Sequence, residues 1–258
     1  MELEEVLEKL NSGECPPGMK LDLARMCIHD KGAKAFAKAL ASGKCPSELQ
    51  LDLSWNGIGF EGAQALAEAL ASGECPPGLH LDLSCNEIES KGAKAFANAL
   101  ASGKCPSRLN LELRDNEIGN EGARALARAL ESGNCPTGLR LTLIYNSINE
   151  KGAQPLAQAL SSGKCPYGLK LNLSQNRIGT QGTNALASAL ASGHGPPGLH
   201  IDFGNNNIES NVQSLAALAC ALESGQCPSG LSLSPPLNPY KSIDDGLTLA
   251  RALKSGNC

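Results

Sequence analysis

A pattern returns every 30 residues along this chain, most plainly as LxLxLSxNxI followed by GAxALAxALxSGxCPxG. Leu51, Leu81, Leu111, Leu141 and Leu171 share one register, continued by Ile201, while Asn56, Asn86, Asn116, Asn146, Asn176 and Asn206 share another. A repeat of this length specifies a supersecondary unit that buries its apolar face only against its neighbours, so a solenoid of stacked strands and helices is expected. The 258 residues then make one domain whose core runs along an axis.

Within one unit Leu49, Leu51 and Leu53 alternate with Gln50, Asp52 and Ser54, the period-two signature of a strand that buries one face. Ala63, Leu66, Ala67 and Leu70 follow at i, i+3, i+4 and i+7, an apolar helical stripe whose small residues allow close packing. Asp30, Ser90, Asn120, Thr180 and Ser210 are candidate caps for the first turns, with Phe60 and Glu150 poorer ones. Gly43, Gly73, Gly103, Gly133, Gly163 and Gly193 suit the helix C-termini, each followed by a proline that steers the chain out of helix. Strand positions near Leu21, Leu51, Leu81, Leu111, Leu141, Leu171, Ile201 and Leu233 predict a right-handed parallel array about 34 Å long.

The ends of such an array need caps. Residues 1–18 read as an acidic capping helix and turn, 19–210 as regular repeats, and 211–258 as irregular C-terminal repeats and cap, with two extra residues and Val212 in a glycine position. The segments from Lys31 and Lys91 differ only at Lys38 and Asn98 over 17 residues, and Phe36 and Phe96 alternate with Leu66 and Leu126. That phase points to a two-unit duplication with alternating core volumes.

LDLSWNGI at Leu51–Ile58, repeated as LDLSCNEI and LNLSQNRI, resembles the leucine-rich repeat family, in particular its ribonuclease-inhibitor-like class. The resemblance covers essentially the whole chain. It implies an α/β horseshoe with an inner parallel sheet and outer α-helices, and asparagine amides that bond backbone in adjacent turns. The first repeat departs from the pattern with Met26 in the asparagine register, and the strands open on LxLxL in place of LxxLxL. The CPxGLxLDLSxN wording also looks like repeat proteins of intracellular bacteria, notably Legionella, which implies an effector secreted into a host cell.

Cys15, Cys45, Cys75, Cys105, Cys135 and Cys165 occupy equivalent sites, interrupted at Gly195, and the total of eleven is odd. A ladder of reduced, buried thiols is expected in place of a disulfide framework. No CxxC or Cys/His finger spacing suggests zinc, and Cys220 with Cys227 is a weak pair only. MELEEVLEKL lacks the basic and apolar regions of a signal peptide, and no apolar run reaches the roughly 20 residues needed to span a bilayer. The expected location is cytoplasmic or another reducing compartment, or a host cytosol reached without a signal peptide. The sequon at Asn172 is a lone match on a repeated strand.

A formal charge of −4 and 3% aromatic residues give no case for nucleic acid. HExxH, Walker and nucleophile-elbow motifs do not occur. The GxGxxG match at Gly193–Gly198 follows a helix and precedes a strand, the reverse of the dinucleotide arrangement. His80 and His200 share a register four turns apart. No cofactor, metal or catalytic residue is expected.

Function is then sought where the repeats vary. One exposed strand column runs Lys20, Gln50, His80, Asn110, Arg140, Lys170, His200, and a second runs Asp22, Asp52, Asp82, Glu112, Thr142, Asn172, Asp202. A third runs Ala24, Ser54, Ser84, Arg114, Ile144, Ser174, Gly204, and a fourth, beyond the strand, runs Arg25, Trp55, Cys85, Asp115, Tyr145, Gln175, Asn205. Large aromatics and arginines carry binding energy at protein interfaces. The expected function is a non-catalytic module that binds a protein partner on the concave sheet through Arg25, Trp55, Asp82, Arg114, Asp115, Arg140 and Tyr145, from a monomeric free state and without nucleic acid or membrane. An enzyme with an unrecognised site, or a structural spacer, are the alternatives.

Overall fold

The computed structural model describes residues 3–206 and 212–234. Strands β1 (Lys20–Asp22), β2 (Gln50–Asp52), β3 (His80–Asp82), β4 (Asn110–Glu112), β5 (Arg140–Thr142), β6 (Lys170–Asn172), β7 (His200–Asp202) and β8 (Ser232–Ser234) form one parallel sheet in chain order. Helices α1 (Leu3–Ser12), α2 (His29–Leu40), α3 (Phe60–Leu70), α4 (Glu89–Ala101), α5 (Gly119–Glu131), α6 (Glu150–Leu160), α7 (Gly179–Leu190) and α8 (Val212–Glu223) alternate with them. The result is a horseshoe-like α/β solenoid. Pairing is in strict register, Leu51↔Leu81 and Leu81↔Leu111 among others, so each exposed column of the sequence is a physical row on the sheet. The pairing continues to Leu233, opposite Ile201. Pro235 and Pro236 lie outside the described residues.

The core lies between sheet and helices. Leu49, Leu51 and Leu53 are buried from the strand side, and Ala63, Leu66, Ala67 and Leu70 from the helix side. Phe36 and Phe96 are fully buried, as are Leu66 and Leu126 in the intervening units, so the alternation in size is a feature of the packed interior. Gly62 shows why small residues are needed where units meet. A Cβ there would lie 2.7 Å from Asp30 Oδ1 and 2.9 Å from the Ala33 Cβ of the preceding unit.

Each asparagine of the ladder ties two turns together. Asn56 Oδ1 accepts from the Met26 and Ile28 backbone N–H groups at 2.8 and 3.2 Å, while its Nδ2 donates to Leu23 O at 2.9 Å and Ser54 O at 3.1 Å. Asn86, Asn116, Asn146, Asn176 and Asn206 repeat the pattern and all are buried. The side-chain bonds that leave the repeat all reach the preceding turn. Met26 stands in the asparagine register of the first repeat, and its own backbone N–H is held by Asn56 Oδ1.

The helix caps differ from the sequence reading. Asp30, Ser90, Asn120 and Thr180 lie inside their helices, because the buried residues Ile28, Ile88, Ile118 and Ile178 already adopt helical backbone angles and serve as the N-caps without a side-chain bond. Asp30 instead caps its neighbour, Oδ1 accepting from Gly59 N at 2.8 Å and Gly62 N at 2.9 Å at the start of α3. Asn120 Oδ1 likewise accepts from Asn149 N at 2.9 Å, and Asn149 caps α6 through Lys151 N. Ser210 lies outside the described residues. At the other helix end Gly43 has φ +72°, the left-handed turn that glycine adopts without strain.

Candidate functional site

The concave face is built from what the strands do not bury. The residue just before each ladder asparagine adopts a left-handed backbone, with φ 58° at Trp55, 52° at Asp115 and 55° at Tyr145, and Arg25 shares it at 60° in the first unit. For a bulky residue this conformation is unfavourable, and the ladder bonds on either side impose it. Trp55 and Tyr145 are left 54% and 49% exposed. Each carries an arginine on its ring: Arg25 lies 5.1 Å from the Trp55 centroid and Arg114 5.4 Å from that of Tyr145. Such stacking holds a flexible guanidinium in place and contributes about 0.5–1 kcal/mol at exposed sites. The two pairs are separated by three repeats between Trp55 and Tyr145, about 14 Å at the usual strand spacing.

The other residues expected to bind are distributed elsewhere on the face. Asp115 accepts a long contact from Cys85 Sγ at 3.8 Å. Asp82 lies on β3, where Oδ1 accepts from Ser84 N at 2.9 Å. Asp22, Asp52 and Asp202 make the same local turn with Ala24, Ser54 and Gly204. Much of the acidic column is thus fixed by strand-end geometry. Asn172 does likewise, accepting from both the N and Oγ of Ser174. Arg140 stands at the beginning of β5, whereas Tyr145 follows its end. It lines a separate open groove with His80, Arg108, Asn110 and Lys170.

That groove contains a signal that pattern reading passed over. Gly78, Gly138 and Gly168 line it at positive φ within CPxGL turns, but the equivalent turns at 45–49 and 105–109 read CPSEL and CPSRL. Glu48 and Arg108 occupy the same left-handed position at φ 59° and 56° and pair across Gly78 at 3.6 Å. The 30-residue spacing put Arg25 beside Trp55 in one column, but the stacking of each guanidinium on its ring came only with the side-chain geometry.

The cysteine ladder lies away from this face. Cys45, Cys75, Cys105, Cys135 and Cys165 each direct Sγ at a helix carbonyl 3.3–3.4 Å away. Burial pushes the thiols of Cys75, Cys105, Cys135 and Cys165 up to about 12 and that of Cys45 to about 11. The described cysteines are all free, and Cys27 and Cys220 are exposed. Gly195 breaks the ladder where a Cβ would meet Pro228 Cγ at 2.3 Å. Among the described residues, no group of three or more His, Cys, Asp or Glu side chains is placed to hold a metal ion, and no helix is long and apolar enough to cross a membrane.

On the convex side Phe60 is 38% exposed, with Lys91 Nζ 5.9 Å from its ring. Lys34 pairs with Glu61 at 2.5 Å, and the hydrogen bond it donates to that carboxylate raises its pKa. These are solvated helix faces.

Residues 49–67, 79–97 and 109–127 match the family described as Leucine Rich repeat. No curated protein matches the chain. The matched segments each run from a strand leucine through the ladder asparagine into the helix, the unit that the structure stacks along its whole described length. The three matched segments are leucine-rich repeats, and the α/β solenoid built by the described residues is consistent with a leucine-rich repeat fold throughout.

Proposed function

We propose that this protein is a non-catalytic binding module that captures a protein partner on its concave sheet. The observation that carries this reading is the pair of exposed aromatics, Trp55 and Tyr145, each with an arginine held against its ring. A rigid aromatic presents large contact area with little rotamer entropy to lose, and a pre-positioned guanidinium adds directional donors. The sheet holds both pairs on a rigid frame, so little ordering cost falls on association. The same reading assigns the chain to the ribonuclease-inhibitor-like class, on the full α-helix after each strand. It takes the role to be that of a bacterial effector in a host cell, on the CPxGLxLDLSxN wording.

The test is capture from eukaryotic cell lysate by the wild-type chain beside a Trp55→Ala/Tyr145→Ala variant, followed by calorimetry on the recovered partner. The double variant should bind at least about 2 kcal/mol more weakly with its circular dichroism unchanged. Lys34→Ala, on the convex face, should bind as the wild type does. The reverse outcome, in which Lys34→Ala abolishes binding and the aromatic variant retains it, moves the site to the helices.

A further inference from the structure

Of the ladder asparagines only Asn56 is followed by glycine. The turn does not require a glycine at Gly57, since Cys27, Glu117 and Ser147 occupy the equivalent position at φ 52°, 54° and 54°. In an asparagine–glycine pair the backbone nitrogen attacks the preceding side-chain amide most readily, because glycine has no Cβ to crowd the approach. In the folded chain that amide is buried and pinned, and the first repeat does most of the pinning. Oδ1 accepts from the Met26 and Ile28 N–H groups, Nδ2 donates to Leu23 O, and the Asn56 carbonyl accepts from His29 N at 3.0 Å. Within its own repeat the side chain keeps only the bond to Ser54 O. When the first repeat lifts from the second, every bond between Asn56 and that repeat is lost together. Units of a solenoid can open in this way singly, since each is held by its own contacts and those of its neighbours.

We propose that Asn56–Gly57 is a self-modification site: the protein deamidates there when its first repeat lifts from the second, and the product keeps the two apart. The Gly57 nitrogen passes its proton to solvent base and bonds Asn56 Cγ. The Cγ–Nδ2 bond then breaks, and the nitrogen leaves as ammonia after taking a proton from water. A water molecule opens the resulting succinimide at either carbonyl, leaving aspartate or isoaspartate. Both products lack the donor that Leu23 O and Ser54 O require. The aspartate form also turns a carboxylate oxygen towards those two carbonyls in a buried site, where an unmatched charge is costly. Isoaspartate lengthens the main chain by a methylene and so displaces the turn that follows. Loss of ammonia makes the step irreversible, whereas the opening that admits it is reversible. Arg25, carried by the first repeat, then leaves the Trp55 ring. The chemistry goes beyond the concave-face reading and does not depend on it, although it dismantles one of the two aromatic pairs.

Peptide mapping by mass spectrometry of the full chain, aged in mildly alkaline buffer with and without urea, tests this. In urea Asn56 should convert at least about tenfold faster than Asn86, which precedes Glu87, and Gly57→Ser should remove the difference. In the native chain Asn56 should convert at least about tenfold more slowly than in urea. Leu21→Ala, at a buried site on β1, should raise the native rate at least about threefold. Leu171→Ala, also buried but on β6, should leave that rate unchanged. Leu21→Val and Leu171→Val provide the same comparison if circular dichroism shows that the alanine variants fail to fold. The aged protein, separated by its added negative charge, should exchange its Met26 and Ile28 amide hydrogens at least about tenfold faster than the unaged protein. The site is overturned if Asn56 converts no faster than Asn86 in urea, as fast in the native chain as in urea, or not at all in the native Leu21 variant. Equal acceleration by the Leu21 and Leu171 variants overturns the opening of the first repeat as the gate. Unchanged exchange at Met26 and Ile28 in the aged protein overturns the lasting separation of the two repeats.

Discussion

Asn116 shows what one buried amide does in this array. Its Nδ2 donates to Leu83 O at 2.9 Å and Arg114 O at 3.0 Å, and its backbone N–H donates to Asn146 Oδ1 at 3.1 Å. Asn116→Ala should leave backbone groups of the neighbouring turn unpaired and cost about 1–3 kcal/mol for each one left dry, seen as a lower urea midpoint. The thiols provide a second residue-scale test. At pH 8 an ordinary thiol, with a pKa of 9.0, is about one-tenth ionised, while one near 12 is ionised about once in ten thousand. Cys75, Cys105, Cys135 and Cys165 should therefore react slowly with a thiol reagent in the native protein and quickly after unfolding, with exposed Cys27 reacting first. The sign of the pH effect on stability follows from the same shifts. The unfolded thiols ionise near 9 while the folded ones hold their protons to about 12, so stability is intact below pH 9 and falls as pH rises from there toward 12.

Each element of the array depends on a neighbouring unit for its own ends. Asp30→Ala should destabilise the protein by about 0.5–2 kcal/mol through the start of α3, since the Gly59 and Gly62 N–H groups lose their acceptor. Hydrogen exchange resolved by residue should show faster exchange at those two amides than at the first turn of α2. Leu111→Ala, on a central strand with Leu81 and Leu141 on either side, should cost about 2–5 kcal/mol in a denaturant melt. Gln64, exposed on α3 with its amide donating to Glu68 at 3.0 Å, should tolerate alanine within about 0.5 kcal/mol. The strand and helix of each unit were legible from the leucine and alanine spacing, because period alone determines which face is buried. The caps were not. A cap residue is recognised in sequence by its place before its own helix, and Asp30 and Asn120 act on the helix of the following unit, about 30 residues away.

Across the whole molecule the array has a scaffold that repeats and a face that does not. In-register pairing aligns the first column as a row in which Asn110, Arg140 and Lys170 are consecutive neighbours. The aromatic pairs lie beyond the ends of the strands, while the basic groove lies at their beginnings. A partner that spans both should therefore show two separable contributions. Trp55→Ala/Tyr145→Ala should weaken it with little dependence on salt, whereas Arg140→Glu should produce a defect that shrinks as salt rises, because screening acts on the charged contact and hardly on the apolar one. Calorimetry across a salt series on the two variants measures this directly.

The 30-residue unit, the strand and helix within it, the buried leucines, the asparagine and cysteine ladders, and the rows of exposed residues were all written in the order of the amino acids. They could be read there because burial in a stacked array is set by local periodicity and repeated at every turn. The reach of side chains between units came only with the assembled fold: Asp30 onto the next helix, Glu48 to Arg108 across an intervening repeat, Arg25 and Arg114 onto their rings, and His80 and Asn110 into burial without partners. Those relations depend on the left-handed turns and on the distance between stacked strands, and both are properties of the assembled solenoid that no single repeat contains.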